Sequence, residues 1–174
     1  MRRAMVFKSS WGWMGISESS KGIDGIALPK GSKQAIESGL RKLSGEPLEP
    51  GGSVRLEAAR RQLLDYLAGK RETFDVPLDL SRGTSFQRQV WRVLQLVPHG
   101  KLRSYQWVAV RVGGWRYARA VGNAVGANPL PIVIPCHRIV AQDTSLGGFS
   151  GGLPMKRKLL ALEGTLAQLE RGRS

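Results

Sequence analysis

Cysteine occurs once in these 174 residues, at Cys136, and histidine twice, at His99 and His137. A disulfide within the chain is thereby excluded, and a Cys/His zinc cage cannot be assembled from so few ligands. No apolar run approaches the ~18 residues of a membrane helix, and the N-terminus lacks the apolar core of a signal peptide. A lone thiol without a secretion signal fits a reducing, cytoplasmic setting. Acid is the other scarcity. Lys and Arg outnumber Asp and Glu 27 to 13, a formal net charge of +14, and no acidic residue lies between Asp79 and Asp143. The remainder is globular: hydrophobic residues make up 41%, enough for one ordinary domain or two small ones.

The charge is unevenly placed. Residues 1–80 carry 13 basic and 10 acidic side chains, whereas residues 81–174 carry 14 and 3. Such a surface attracts polyanions, and counterion release makes nucleic acid its natural partner. A plain solubility surface is the alternative. The change coincides with Ser81-Arg82-Gly83, which is expected to separate an N-terminal domain (1–80) from a C-terminal one (84–166), with 167–174 as a tail.

Apolar clusters at Met5–Phe7, Trp11–Ile16 and Ile23–Leu28, broken at 19–22, predict short strands. A Gly/Pro-rich stretch runs from Leu43 to Gly52. Ser53 then caps a helical pattern with Leu56, Ala59, Leu63, Leu64 and Leu67 on one face, and Gly69 lies just past its end. Phe74, Val76, Leu78 and Leu80 alternate as in a half-buried edge strand. In the basic half, Thr84-Ser85-Phe86-Gln87 forms a capping box ahead of Val90, Val93, Leu94 and Val97. Ser104 opens a helix to Val112, Gly113-Gly114 turns, and a second helix spans about 115–125 with Arg116 and Arg119 on it. That order reads as helix-turn-helix, although two packed helices joined by glycines also occur in ordinary cores. Ile132–Ile134 is expected as a strand leading to Cys136, and Pro154 and Gly164 frame a last helix.

Cys136 and His137 are a nucleophile and a base side by side. A thiolate is the working form, and making it requires a base or a positive neighbour. On an extended backbone the two side chains diverge, so a tight turn or a water must join them. A buried inert cysteine and a structural histidine are the plain alternatives. Glu163 adds weight to the active reading. It stands at a helix C-terminus, where the macrodipole disfavours negative charge, so a specific partner such as His137 is expected, against a solvated helix end. With no second cysteine to resolve it, a disulfide-exchange cycle is disfavoured. A thiol that attacks an alkyl carbon instead forms a stable thioether and acts once.

The runs Arg119-Ala120-Val121-Gly122-Asn123-Ala124, Asn128-Pro129 and Ile134-Pro135-Cys136-His137-Arg138-Ile139-Val140 resemble the O6-alkylguanine-DNA alkyltransferase family (methylated-DNA–protein-cysteine methyltransferases). Ser104-Tyr105-Gln106, Phe149-Ser150-Gly151-Gly152 and Lys158–Gly164 fit in the same order, so the resemblance covers about residues 84–164. It implies an α/β N-terminal domain of ribonuclease-H-like type and a mainly α C-terminal domain with a winged helix-turn-helix. It further implies a DNA-repair protein that flips the lesion from the duplex and takes the alkyl group, chiefly methyl, from O6 of guanine onto Cys136. O4-alkylthymine is left open as a second substrate.

By position, His137 acts as base through a water, with Glu163 behind it; Asn128 fixes the turn at the thiol, and Tyr105 donates a proton toward the guanine. Arg119 fills the space of the extruded nucleotide, and Gln106, Tyr117, Ala120 and Gln142 belong to the DNA side, with small residues near Ala118 and Ala120 allowing close approach in the minor groove. Val140, Phe149, Ser150 and Gly151 surround the base, with backbone near Cys136, Val140 and Ser150 reading its edge. Phe149 stands where some relatives carry tyrosine, and Trp115 and Tyr117 where many carry small residues or proline. The resemblance implies no metal, no cofactor and no membrane partner. It implies a monomer in solution whose partner is double-stranded DNA carrying O6-alkylguanine, with cooperative binding left open. A DNA-binding module with an inert Cys136 and a turnover cysteine hydrolase are the rival readings.

Overall fold

The apolar clusters of the first thirty residues become an antiparallel meander. In the structure, a computed structural model that describes residues 2–141 and 146–171, β1 (Arg2–Ser9), β2 (Gly12–Glu18) and β3 (Ile23–Lys30) pair in sequence. α1 (Lys33–Ser44) follows, its first turn held by Ser32 Oγ accepting from Ala35 N, and β4 (Leu48–Pro50) then returns parallel to β1. The sheet order is β3-β2-β1-β4. Ala27, Ile36 and Leu40 fill the space between α1 and the sheet, with Val6, Trp13 and Leu48 at the margin. α2 (Val54–Leu67) is capped by Ser53, which accepts from Leu56 N, and buries Leu56, Ala59, Leu63 and Leu67.

The Gly/Pro-rich stretch contains β4. One expectation for this half is corrected. The Phe74–Leu80 segment is not a strand. Its alternation survives as burial, with 74, 76 and 78 half-buried and 75 and 77 exposed, but its backbone makes only an isolated parallel bridge between Ile23 and Leu78. Ile23 N donates to Pro77 O (2.8 Å) and Asp79 N to Ile23 O (2.8 Å), and Pro77 has no N–H with which to extend a ladder. The Asp79 carboxylate then ends the segment, accepting from Ser19 Oγ and from Ser81 N.

The chain divides into two compact units, Met1–Arg82 and Gly83–Ser174. The second opens on α3 (Ser85–Leu94), where Thr84 and Gln87 complete the capping box in both directions. β5 (Arg103–Ser104) leads directly into α4 (Tyr105–Val112), capped by Ser104. A 3-10 turn at Trp115–Tyr117 then leads into α5 (Ala118–Gly126). The Trp91 indole on α3 donates to Ala124 O on α5 (2.8 Å), tying the two helices together. β6 (Ile139–Val140) pairs parallel with β5, which brings the start of α4 alongside the chain just after Cys136.

Ile132–Ile134 is a correction as well. It forms a turn bridged at Pro131 and Ile134, with buried Ile132 at φ 75°. Its side chains are apolar because they fill the core, not because they belong to a sheet. α6 (Leu153–Leu162) is followed by α7 (Leu166–Arg171), which runs from the last residue of the expected domain into the segment expected as a tail. Leu169 explains the difference, because it is buried with Val140, Leu146 and Leu160. Among the described residues no helix is long and apolar enough to cross a membrane.

Candidate active site

One asparagine shapes the approach to the thiol. Asn128 Nδ2 donates to Ile134 O (2.8 Å) and Oδ1 accepts from Leu130 N (2.9 Å), closing the turn that holds Ile132 in the left-handed region. A β-branched residue there costs about 1–3 kcal/mol, so the turn is kept by its surroundings rather than by local preference. Pro135 follows, and Cys136–Arg138 form a 3-10 turn in which Cys136 N donates to Ile134 O (2.7 Å). Cys136 is 3% exposed.

The next two residues meet Glu163, the C-cap of α6. His137 Nε2 lies 2.8 Å from Glu163 Oε2. Arg138 forks onto the same carboxylate, Nε to Oε1 at 2.7 Å and Nη2 to Oε2 at 2.9 Å, while its Nη1 donates to Val97 O (2.7 Å). All three side chains are buried. Burial alone would raise the Glu163 pKa. The hydrogen bonds from His137 and Arg138 outweigh it and hold the carboxyl well below the usual range.

Glu163 is therefore ionised, so Nε2 carries the ring proton and Nδ1 keeps its lone pair. Nδ1 is buried and has no hydrogen-bond partner among the described residues. Burial, with Arg138 and Lys156 adding to it, also pushes the His137 pKa down despite Glu163, so the ring is a neutral base.

Burial pushes the Cys136 thiol up. The Asn128 side chain, the charge of Lys156 and the N–H groups of Cys136 and His137 pull it back toward the thiolate. Lys156 is itself fully buried, and its ammonium is caged by the carbonyls of Ile139 (2.6 Å), Leu146 and Gly148 (3.3 Å). Burial depresses its pKa to about 8. Tyr105 is raised, first by burial and then by the neighbouring Cys136, and its hydroxyl donates to Gly148 O (3.4 Å). It stays a proton donor at neutral pH.

A cavity of about 340 Å³ opens beside Tyr105, lined by Ala118, Gly122, Val125 and Gly126 of α5 and by Gly148, Phe149 and Ser150. That volume falls in the range of about 300–1,000 Å³ found for small-molecule sites. Gly147 (φ 68°) is needed at the rim, since a Cβ there would lie 2.9 Å from the Tyr105 ring.

Comparison with known proteins identifies the family. A family model described as 6-O-methylguanine DNA methyltransferase, DNA binding domain, matches residues 85–165. The methylated-DNA–protein-cysteine methyltransferase of Methanosarcina acetivorans is 35% identical over 160 residues, 92% of this chain and 97% of that relative. The chain belongs to the methylated-DNA–protein-cysteine methyltransferase family. The namesake from Mycolicibacterium paratuberculosis is 51% identical over 105 residues, so the matched part spans 63% of that relative's length. Among solved structures, Mycobacterium tuberculosis OGT in complex with DNA aligns at a TM-score of 0.79 and 34% identity over 94% of both chains. The Pyrococcus kodakaraensis O6-methylguanine-DNA methyltransferase aligns at 0.72 and 28% identity, over 94% of this chain and 99% of that one.

In this member of the methyltransferase family, Cys136, His137, Asn128 and Glu163 are buried and Tyr105 half-buried, the five meeting around the 3-10 turn. Tyr105, Phe149 and Ser150 line the cavity; Val140 is buried in the core beneath, and Gly151 is exposed outside the lining. Gln106, Arg119 and Ala120 are exposed. Tyr117 is half-buried, its ring centroid 6.1 Å from that of Phe86. Gln142 lies outside the described residues. Sequence reasoning missed Arg138 and Lys156 as members of the site, because a basic side chain is read by default as surface. Arg138 had one signal, its place beside His137 with a lone carboxylate to share. Lys156 had none.

Proposed function

We propose that this chain repairs DNA by moving an alkyl group, chiefly methyl, from O6 of guanine in a duplex to Cys136, irreversibly and once per molecule. The observation that carries the reading is His137: its Nε2 is pinned by Glu163, and its buried Nδ1 is left as a free lone pair one residue from the thiol. Nδ1 accepts the thiol proton through a bridging water. Sγ attacks the alkyl carbon, the S–C bond forms, and the C–O6 bond breaks with its electrons going to guanine. Tyr105 donates toward the ring so that guanine departs neutral, and is reprotonated from solvent, to which His137 releases the thiol proton. The net change moves the thiol proton to guanine and the alkyl group to sulfur. A thioether has no route back, so the chain is consumed.

The base reaches this chemistry by leaving the stack. The cavity walled by α5 receives it, with Phe149 as a stacking face and backbone near Cys136, Val140 and Ser150 reading its edge, Gly151 beside it. Arg119 takes the vacated place in the duplex, and Ala118 and Ala120 let α5 approach the minor groove, with Gln106 and Tyr117 alongside. In this reading α4 and α5 are the helices of a winged helix-turn-helix. The N-terminal unit is ribonuclease-H-like, a description supported by three antiparallel strands, a helix and a fourth strand parallel to the first. The free thiol suits a reducing, cytoplasmic setting.

Incubation with an excess of duplex carrying labelled O6-methylguanine tests the proposal. One equivalent of label should appear on protein, and the reaction should then stop. Continued release of product would favour a cysteine hydrolase, and binding without label a lesion-binding module; either defeats the reading.

A further inference from the structure

The indole of Trp115 is the large aromatic that the fold leaves uncovered. It is 75% exposed, and no ring or cation packs on it among the described residues. Other indoles of the chain are occupied. Trp91 is buried and hydrogen-bonded, Trp107 is covered by the Arg111 guanidinium at 3.6 Å, and Trp13 lies beneath Lys8 and Lys33.

The turn that presents Trp115 is firmly built. Gly113 (φ 155°) and Gly114 (φ 141°) adopt conformations open to glycine, and a Cβ on Gly113 would lie 2.8 Å from the Tyr117 ring. Tyr117 packs against Phe86 and beneath Arg116 at 5.1 Å, which anchors the turn inward. Trp115, two residues earlier, projects outward and needs no rearrangement to meet a partner.

The surroundings select that partner. Trp115 precedes α5 and stands four residues before Arg119. Arg111, Arg116 and Arg119 are all exposed, in a stretch with no acidic residue between Asp79 and Asp143. An exposed apolar ring set among guanidinium groups suits a polyanion with apolar faces of its own, which describes a nucleic-acid groove.

We propose that Trp115 is a DNA contact that lays its indole against the sugars and base edges of the minor groove beside the site where Arg119 enters. It rests on the repair reading above, and adds a fixed aromatic contact that carries no charge. The Arg residues around it hold phosphates, whereas Trp115 contributes by contact and stacking. Its contribution is therefore insensitive to salt.

The test is duplex affinity against salt concentration for the wild type, W115A, W115F and R116A, with label transfer to the wild type measured in the same samples. W115A should bind undamaged duplex about tenfold more weakly at every salt concentration, the scale of an aromatic contact to a base. The slope of log affinity against log salt should match that of the wild type. R116A should reduce that slope by about one, as loss of a phosphate contact does. W115F should recover most of the affinity, and the wild-type-minus-W115F fluorescence should be quenched by DNA. Because the side chain is exposed, the melting temperature of W115A should stay at the wild-type value. Wild-type affinity in W115A, or a fall in its salt slope equal to that of R116A, overturns the assignment while label transfer stands. A wild type that neither binds duplex nor takes label sinks both proposals.

Discussion

Replacing Arg138 by Met should change the protonation of His137 as well as the stability of the site. Arg138 Nη2 and His137 Nε2 lie 2.9 Å and 2.8 Å from the same oxygen of Glu163. The two nitrogens are then about 4–5 Å apart, where two positive charges repel by about 3–4 kcal/mol at an effective dielectric constant near 20. That repulsion, added to burial, keeps the wild-type ring neutral. Without Arg138, one of the charges that disfavour an imidazolium is gone while the Glu163 carboxylate stays, so the His137 pKa should rise. Breaking a buried ion pair costs about 3–5 kcal/mol.

The steepness of the pH dependence separates the two proteins. In the wild type the histidine pKa is depressed on folding, so this group's contribution to stability rises with pH up to the ordinary histidine value. In R138M the folded value should move up toward the ordinary one, because one of the lowering charges is gone. The rise of this group's contribution with pH should then be shallower than in the wild type. Urea unfolding across about pH 5 to 8 should give a flatter dependence for this group in R138M, and the acid limb of the transfer rate should move to higher pH in the variant. An R138M protein that keeps the wild-type slope and the wild-type acid limb refutes the reasoning.

Arg119→Ala should slow transfer from duplex DNA by about tenfold or more, since unstacking costs a few kcal/mol, and should slow transfer from a free O6-alkylguanine base much less. Equal losses on both substrates would contradict a role in flipping. Asp79→Ala should destabilise the N-terminal unit by about 1–2 kcal/mol at neutral pH in urea unfolding. Burial opposes the Asp79 charge, but hydrogen bonds from Ser19 and Ser81 prevail and hold its pKa at about 2. The advantage of the wild type is present above the ordinary aspartate value and should vanish as pH falls toward 2. A gap that persists in acid would count against it.

Elements with strong local signals were legible in the sequence. Ser53, Thr84 with Gln87, and Ser104 each announced a helix, because a cap satisfies an orphan N–H within the same few residues. Glu163 was legible by its awkward position at a helix end, and His137 is the partner it meets. α1 was not, since Ser38 and Gly39 fall between Ile36 and Leu40, and packing on the sheet supplies what propensity lacks. β4 hides among prolines because a single partner strand suffices to hold it. Ile132–Ile134 misled for a physical reason. Burial and β-pairing leave the same apolar run, and only the Asn128 bonds distinguish them. Arg138 and Lys156 needed the tertiary structure, since the groups that neutralise or cage them are brought together by folding.

Mass analysis of the protein before and after reaction with an O6-methylguanine duplex, with fragmentation to place any adduct, tests the central claim most directly. The account predicts one methyl group per chain, carried on the sulfur of Cys136. A methyl group elsewhere, or restored guanine with Cys136 unmodified, would contradict it.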